Sequence, residues 1–169
     1  MGPWTMPNSK NVLVVMGVSG CGKTEIGKLL AKELDHPFFD GDHFHPKANI
    51  DKMRSGKPLN DEDRREWLTK LNQLALEHRH TGAIIACSAL KKNYRSLLRA
   101  GMGYCMAFVY LKGSYDLIQS RLQQRKGHFM PASLLQSQFD ALEPPTKEIT
   151  VSIEDTPDTI VKKVLRQLK

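Results

Sequence analysis

Val12-Leu13-Val14-Val15-Met16 running into Gly17-Val18-Ser19-Gly20-Cys21-Gly22-Lys23-Thr24 is the stretch that decides the fold. The first five residues are a short, β-branched-rich apolar run closed by glycine, the pattern of a strand buried on both faces. Ile26, Leu29, Leu30 and Leu34 then recur at helical spacing. The eight residues between satisfy G-x-x-x-x-G-K-[ST]. Glycine lets the backbone curl until successive N–H groups point at one anion, and the N-terminus of the following helix continues that concave site. On this pattern Gly17, Val18, Ser19, Gly20, Cys21, Gly22, Lys23 and Thr24 bind the phosphates of a nucleotide. Lys23 sets a point charge on the β- and γ-phosphates, and the Thr24 hydroxyl is a Mg2+ ligand. A strand feeding a helix through such a loop opens a parallel α/β sheet.

The same rhythm extends outward. Pro37–Phe39, Ala83–Cys87, Met106–Leu111 and Ile149–Ile153 are further strand candidates. Helical spacing covers Asp61–His78, Leu90–Arg99, Tyr115–Arg125, Ala132–Leu142 and Thr159–Leu168. Five strands alternating with helices predict a three-layer α/β/α sandwich around a five-stranded parallel sheet. Residues 1–10 read as a flexible N-terminal lead-in and 11–169 as a single P-loop domain. Within it, 41–60 forms a polar substrate-side insertion carrying a short helix, and about 125–145 forms a lid region hinged near Gly127 and Pro131.

The chain has 169 residues, 40% of them hydrophobic and 25% charged, as in an ordinary globular domain. No apolar run approaches the roughly 20 residues of a membrane-spanning helix, and Met1–Lys10 lacks the pattern of a secretory signal. Cys21, Cys87 and Cys105 are odd in number and share no metal-ligand spacing, which points to a reduced, cytoplasmic setting. The formal charge of +7 admits either a nucleic-acid partner or a pocket for anionic substrates.

Chemistry-bearing residues gather where strands end. Asp40 and Asp42 follow the second strand candidate two residues apart, so both carboxylates can face one site; one would hold the magnesium shell and the other accept a hydroxyl proton. His45 offers polar contacts to a hydroxyl-rich substrate, whereas His43 reads as surface, and a zinc site lacks further ligands at the required spacing. Lys91, Arg95 and Arg99 lie four apart after the third strand, a face suited to a carboxylate or phosphate on the acceptor. Arg121 and Arg125 lead into Lys126-Gly127-His128-Phe129, where a closing lid would neutralise the transferring phosphate. The acids of Asp61-Glu62-Asp63 read as helix-start residues and Trp67 as core.

Beyond the loop, Asp40-Gly41-Asp42 with His45-Pro46, Asn49, Lys52-Met53, Gly56, Pro58-Leu59, Asp61, Asp63-Arg64 and Trp67-Leu68 resembles the bacterial-type gluconokinases. So do Cys87–Arg95, Arg125–Pro131, Ser137-Gln138-Phe139 and Leu142-Glu143, so that the resemblance runs from about Val12 to Pro145. It implies a nucleoside-monophosphate-kinase-like fold related to shikimate kinase, and transfer of phosphate from ATP with Mg2+ to D-gluconate, giving 6-phosphogluconate and ADP, in a homodimer. It places Lys23, Asp42 and Arg125 in catalysis and Arg121 on the nucleotide. Thr24 and Asp40 fall at the metal, and Asp42, His45, Lys52, Arg64, Lys91, Arg95 and His128 at the acceptor. Two positions depart from the family pattern: Glu66 stands where proline is usual, raising the question of a charge beside the sugar acid, and Cys21 replaces a common serine.

Two other readings compete. A nucleotide switch or nucleic-acid-binding protein would use the positive charge, but the chain has neither Asn-Lys-x-Asp nor Asp-x-x-Gly, and the basic C-terminal residues Lys162, Lys163, Arg166 and Lys169 have no interleaved aromatics. The same scaffold could also phosphorylate another small anion, such as another sugar acid, shikimate or a nucleotide.

Overall fold

Every residue of β1 (Val12–Met16) is fully buried, because strands flank it on both sides and helices cover both faces. A computed structural model gives the structure of residues 11–124 and 132–168. The 1–10 lead-in and the stretch holding Arg125 and His128 lie outside the described residues. The remaining strands are β2 (Phe38–Asp40), β3 (Ala83–Ala86), β4 (Met106–Lys112) and β5 (Ile149–Ser152). They pair in parallel in the order β2-β3-β1-β4-β5, with Val14 opposite Ile85 on one side and Phe108 on the other.

The helices are α1 (Lys23–Leu34), α2 (Lys47–Arg54), α3 (Asp61–Glu77), α4 (Lys92–Arg99), α5 (Tyr115–Gln124), α6 (Ala132–Ala141) and α7 (Pro157–Leu168). Side chains alternate across a strand, so β1 feeds two cores. Leu13 and Val15 pack with Ile26 and Leu30 of α1 and Ile160 and Val164 of α7. Val12, Val14 and Met16 pack on the opposite face with Trp67, Leu68 and Leu71 of α3 and Tyr94 and Leu98 of α4. This is the expected three-layer sandwich around a five-stranded parallel sheet.

Between β2 and α3, the expected short helix is α2, preceded by a single 3-10 turn over Gly41–Phe44. Two boundaries differ from the sequence reading in ways that matter for the site. β2 runs one residue further, so Asp40 is its last residue. The helix expected from Leu90 starts at Lys92, because Ala89 adopts a left-handed conformation (φ 46°) and Lys91 is extended. Among the described residues no helix is long and apolar enough to cross a membrane.

Strand order positions the chemistry. β1 lies between β3 and β4, so the chain leaves it for α1 at the point where connections diverge to the two halves of the sheet. In such sheets ligands bind at that switch point, beyond the carboxyl ends of the strands. Gly17–Thr24, Asp40–Asp42 and Ser88–Lys91 all emerge there.

Candidate active site

The glycine loop folds tightly. Gly17, Gly20 and Gly22 take positive φ values of 147°, 85° and 101°, conformations that a side chain disfavours. Val18 and Cys21 turn inward and are buried, leaving the backbone as the exposed surface. Lys23 Nζ donates to the carbonyls of Gly17 (2.9 Å) and Val18 (3.1 Å), so its charge sits over the loop itself. Thr24 stands exposed in the first turn of α1, where helix N–H groups and the dipole favour an anion.

Asp40 accepts a hydrogen bond from the Asp42 N–H (3.0 Å) and thereby caps the 3-10 turn. Gly41 has to be glycine for close approach: a Cβ there would stand 2.4 Å from the Ala86 carbonyl of β3. Its own carbonyl accepts from Trp67 Nε1 at 2.7 Å. The turn is thus held from both sides and projects Asp42 outward. Crowding by protein, then the Asp40 charge, pushes the Asp42 carboxyl above its usual range, while Lys23 and His43 oppose the shift. The side chain is 82% exposed, so water screens these effects.

His45 lies against that turn with 3% of its side chain exposed and its ring stacked on Trp67 at 4.0 Å. Asn49 Nδ2, itself buried, faces His45 Nδ1 at 3.3 Å and donates to the Asp63 carbonyl at 2.8 Å. An amide nitrogen can only donate, so Nδ1 is the acceptor and the ring proton sits on Nε2, 3.9 Å from Asp42 Oδ1. Burial, then the Arg64 charge, lowers the His45 pKa to about 4. A lowered pKa favours the neutral ring in the folded state, so stability is intact above pH 6.5 and falls as pH drops towards 4. The loss is at most about 3 kcal/mol. His45→Phe keeps a ring on Trp67 but cannot titrate, so in melts across this window its Tm should fall less than that of the wild type.

Lys52, expected at the acceptor, is not among the residues lining the cleft between α3 and α6. Its ammonium is paired with Asp63 at 2.6 Å, and Asp63 is also the N3 residue of a capping box with Asn60 that starts α3. That pairing, then the Asn60 N–H, holds the Asp63 carboxyl below its usual range.

A cleft of ≈ 600 Å³ lies between the start of α3 and α6, with Pro58, Asp61, Glu62, Arg64, Lys91 and Gln138 in its wall; a second, of ≈ 610 Å³, is lined by Arg95, Arg99 and Glu143. Arg64 donates to the Leu59 carbonyl and the Tyr94 hydroxyl, the latter at 3.1 Å, and its guanidinium lies 5.2 Å from the Tyr94 ring. Tyr94 donates to Asp61 Oδ1 at 2.5 Å, and Lys91 Nζ stands 3.5 Å from the same oxygen. The Tyr94 hydrogen bond is the main cause that lowers the Asp61 carboxyl; burial, then Asp61, pushes the Tyr94 hydroxyl up to about 12. Asp61 therefore belongs to the cleft wall, held from beneath by the buried Tyr94, although the acids of this segment read from sequence as helix-start residues. Their signal was masked because acids at a helix N-terminus are favourable without any ligand.

Arg95 corrects the expectation of a shared basic face. With 7% exposure it donates to the carbonyls of Ala89 (2.7 Å), Leu90 (3.2 Å) and Glu143 (2.7 Å). Arg99 pairs with Glu148 at 2.6 Å, away from the cleft between α3 and α6, and Lys91 precedes the helix. Only Lys91 of the three lines that cleft. Arg95→Met removes the charged donor from three carbonyls and should cost about 3 kcal/mol, on the order of 10 °C in Tm. A melt and a Michaelis curve separate this from an acceptor role: a normal Tm with a raised acceptor KM would restore the original reading.

Arg121 donates to the Ile153 carbonyl at 2.7 Å, which ties α5 to the end of β5. Glu66 pairs loosely with Lys70 at 3.8 Å and is not among the residues lining the cleft. All three cysteines are buried, and among the described residues no cluster of three or more His, Cys, Asp or Glu could hold a metal ion.

A phosphate loop at the switch point of a parallel sheet, near a cleft whose wall carries Asp61, Glu62, Arg64 and Lys91, defines a P-loop small-molecule kinase. Residues 19–169 match the family model described as "Shikimate kinase". The chain is 43% identical over 171 residues to the thermoresistant gluconokinase of Escherichia coli K12, covering 98% of this chain and 97% of that one. It is 44% identical to the gluconokinase of Gluconobacter oxydans, with 93% and 90% covered. The crystal structure of a gluconokinase from Sinorhizobium meliloti superposes with a TM-score of 0.86 at 40% identity, covering 94% of this chain and 91% of that one. A shikimate kinase from Aquifex aeolicus shares the fold at TM-score 0.64 and 17% identity. The chain belongs to the gluconokinase family, within the shikimate-kinase group of P-loop kinases.

Proposed function

We propose that this protein transfers the γ-phosphoryl group of ATP to a primary hydroxyl of D-gluconate, giving 6-phosphogluconate and ADP. The observation that carries the reading is the placement of Asp42 within electrostatic reach of Lys23, while the adjoining His45 lies within electrostatic reach of Arg64, which lines the cleft with Lys91. The loop N–H groups and Lys23 hold the donor phosphates. Asp42 accepts or orients the acceptor hydroxyl, and its upward-shifted carboxyl is the stronger base for that step. Arg64 and Lys91 take the sugar-acid carboxylate, while Asp61 and Gln138 offer partners to its hydroxyls. His45 packs beneath Asp42, with Nε2 3.9 Å from Asp42 Oδ1. We assign Arg121, Arg125 and His128 to the nucleotide and lid side on the family resemblance.

The residues present fit Mg2+, which takes hard oxygen ligands and needs only one or two from the protein when phosphates supply others. Thr24 would supply its hydroxyl, and Asp40 has one carboxylate oxygen not used by the cap. The ion would neutralise charge on the β- and γ-phosphates.

The family resemblance also carries a cytoplasmic homodimer into this proposal; light scattering in solution tests the dimer. The main experiment is a coupled ADP-release assay across gluconate, related sugar acids, shikimate and nucleoside monophosphates, with the product identified. Gluconate should give the highest kcat/KM by at least about tenfold. A higher value for shikimate or a nucleotide would replace the acceptor while leaving the kinase class intact.

A further inference from the structure

Gln138 belongs to α6 yet touches the phosphate loop. Ser19 donates its backbone N–H to Gln138 Oε1 at 2.7 Å, and Gln138 Nε2 donates to Ser19 Oγ at 3.0 Å. Because a backbone N–H can only donate, the orientation of the amide is fixed by the first bond, and the second then follows. The pair joins residues 119 positions apart. Gln138 also lines the cleft shared with Asp61, Arg64 and Lys91. One side chain therefore borders both halves of the site.

Two consequences follow from donor and acceptor counting. The Ser19 N–H is already engaged by Gln138, so it is withheld from the donor phosphates while this contact holds. An amide has two N–H donors and two carbonyl lone pairs, and Ser19 uses one of each. One donor and one lone pair remain for a hydroxyl-rich molecule in the cleft. The far end of α6 cannot absorb a displacement easily, since Glu143 is fixed there by its N–H to Leu90 O (2.8 Å), by its carboxylate to the Lys92 N–H (2.7 Å) and by Arg95 on its carbonyl. A pull on Gln138 is therefore transmitted to Ser19.

We propose that Gln138 is a positioning residue that couples acceptor binding to the phosphate loop, clamping Ser19 with one half of its amide and meeting the acceptor with the other. The inference rests on the reading of this cleft as the acceptor site. By linkage, an acceptor that tightens the loop on the nucleotide is itself bound more tightly, by the same factor, when nucleotide is present.

The test uses the full chain with Gln138→Met, which keeps length without an amide, and Gln138→Glu, which keeps an acceptor for the Ser19 N–H but loses the donor. The Kd of a non-hydrolysable ATP analogue is measured with and without saturating gluconate, alongside amide exchange of residues 17–24, Tm and the separate kcat and KM. In the wild type gluconate should tighten the analogue about tenfold. In Gln138→Met the tightening should fall below about twofold, while Tm and the Kd without gluconate stay near wild type, and kcat should drop more than KM rises. Gln138→Glu should likewise lose most of the coupling. Equal coupling in wild type and Gln138→Met overturns the proposal, as does its absence in a wild type that phosphorylates gluconate. A fall in Tm with parallel weakening of both ligands overturns it too, since that marks a merely structural contact. If the wild type does not phosphorylate gluconate, the functional reading fails separately. Amide exchange then decides the clamp: faster exchange at 17–24 in Gln138→Met upholds it, and unchanged exchange removes it.

Discussion

Lys23→Ala should lower turnover about 1,000-fold while leaving the fold intact. The ammonium is the formal positive charge within the loop sequence, and its bonds to the Gly17 and Val18 carbonyls place it over the curled backbone. Charge that develops on the transferring group is stabilised by such a preorganised cation, and removing one donor of this kind costs roughly two to three orders of magnitude. Stability should change by only about 1 kcal/mol, because Lys23 is half-buried and the two carbonyls it leaves can be hydrated. Lys23→Arg should rescue poorly, since a planar fork does not replace a compact point charge. A coupled ADP assay with a parallel melt checks both parts; turnover within tenfold of wild type at an unchanged Tm would remove the role given to Lys23.

Asp42→Asn should lower kcat by about 100-fold or more with little change in gluconate KM, the range expected when a general base is lost. The substitution keeps the backbone N–H that Asp40 caps, so the turn survives. Its pH behaviour supplies the sharper check. A carboxyl raised by crowding and by Asp40 is protonated at higher pH than an ordinary aspartate, so wild-type kcat should fall as pH drops through that raised value. The Asn variant should lose that limb. The same shift makes the Asp42 carboxylate unfavourable for folding above its unfolded pKa, so the variant should melt at the same temperature or slightly higher. A decrease of only about tenfold, with the acid limb retained, would make Asp42 an orienting group and leave the base elsewhere.

The sequence exposed some layers of this site and hid others for definable reasons. β1, β3 and β4 were legible because buried parallel strands are continuous apolar runs, and the loop because its backbone geometry requires glycine at fixed places. The start of α4 was not, since nothing in Ser88–Lys91 signals the left-handed Ala89 that delays the helix and turns Arg95 inward. Arg95 looked like a ligand residue because spacing reports the face of a helix but not which carbonyls wait beneath it. Asp61 looked ordinary because its location at a helix start explains an acid on its own. Gln138 stood in the sequence only as part of the Ser137-Gln138-Phe139 motif, with no role attached: its partner lies 119 residues earlier, and only the packing of α6 over the loop brings them together.

The anchoring of Glu143 turns α6 into a lever with a known fulcrum. Three hydrogen bonds fix the chain at that residue, two positions past Ala141, the last residue of α6; Gln138 sits three residues before that helix end and Ala132 nine before. At 1.5 Å of rise per residue these arms measure roughly 4.5 and 13.5 Å. A rotation about the anchored end that moves Gln138 by about 1 Å would therefore carry the first turn of α6 about three times as far. The mechanical advantage runs outward, so a slight adjustment at Ser19 becomes a larger swing at the end of the helix farthest from its anchor.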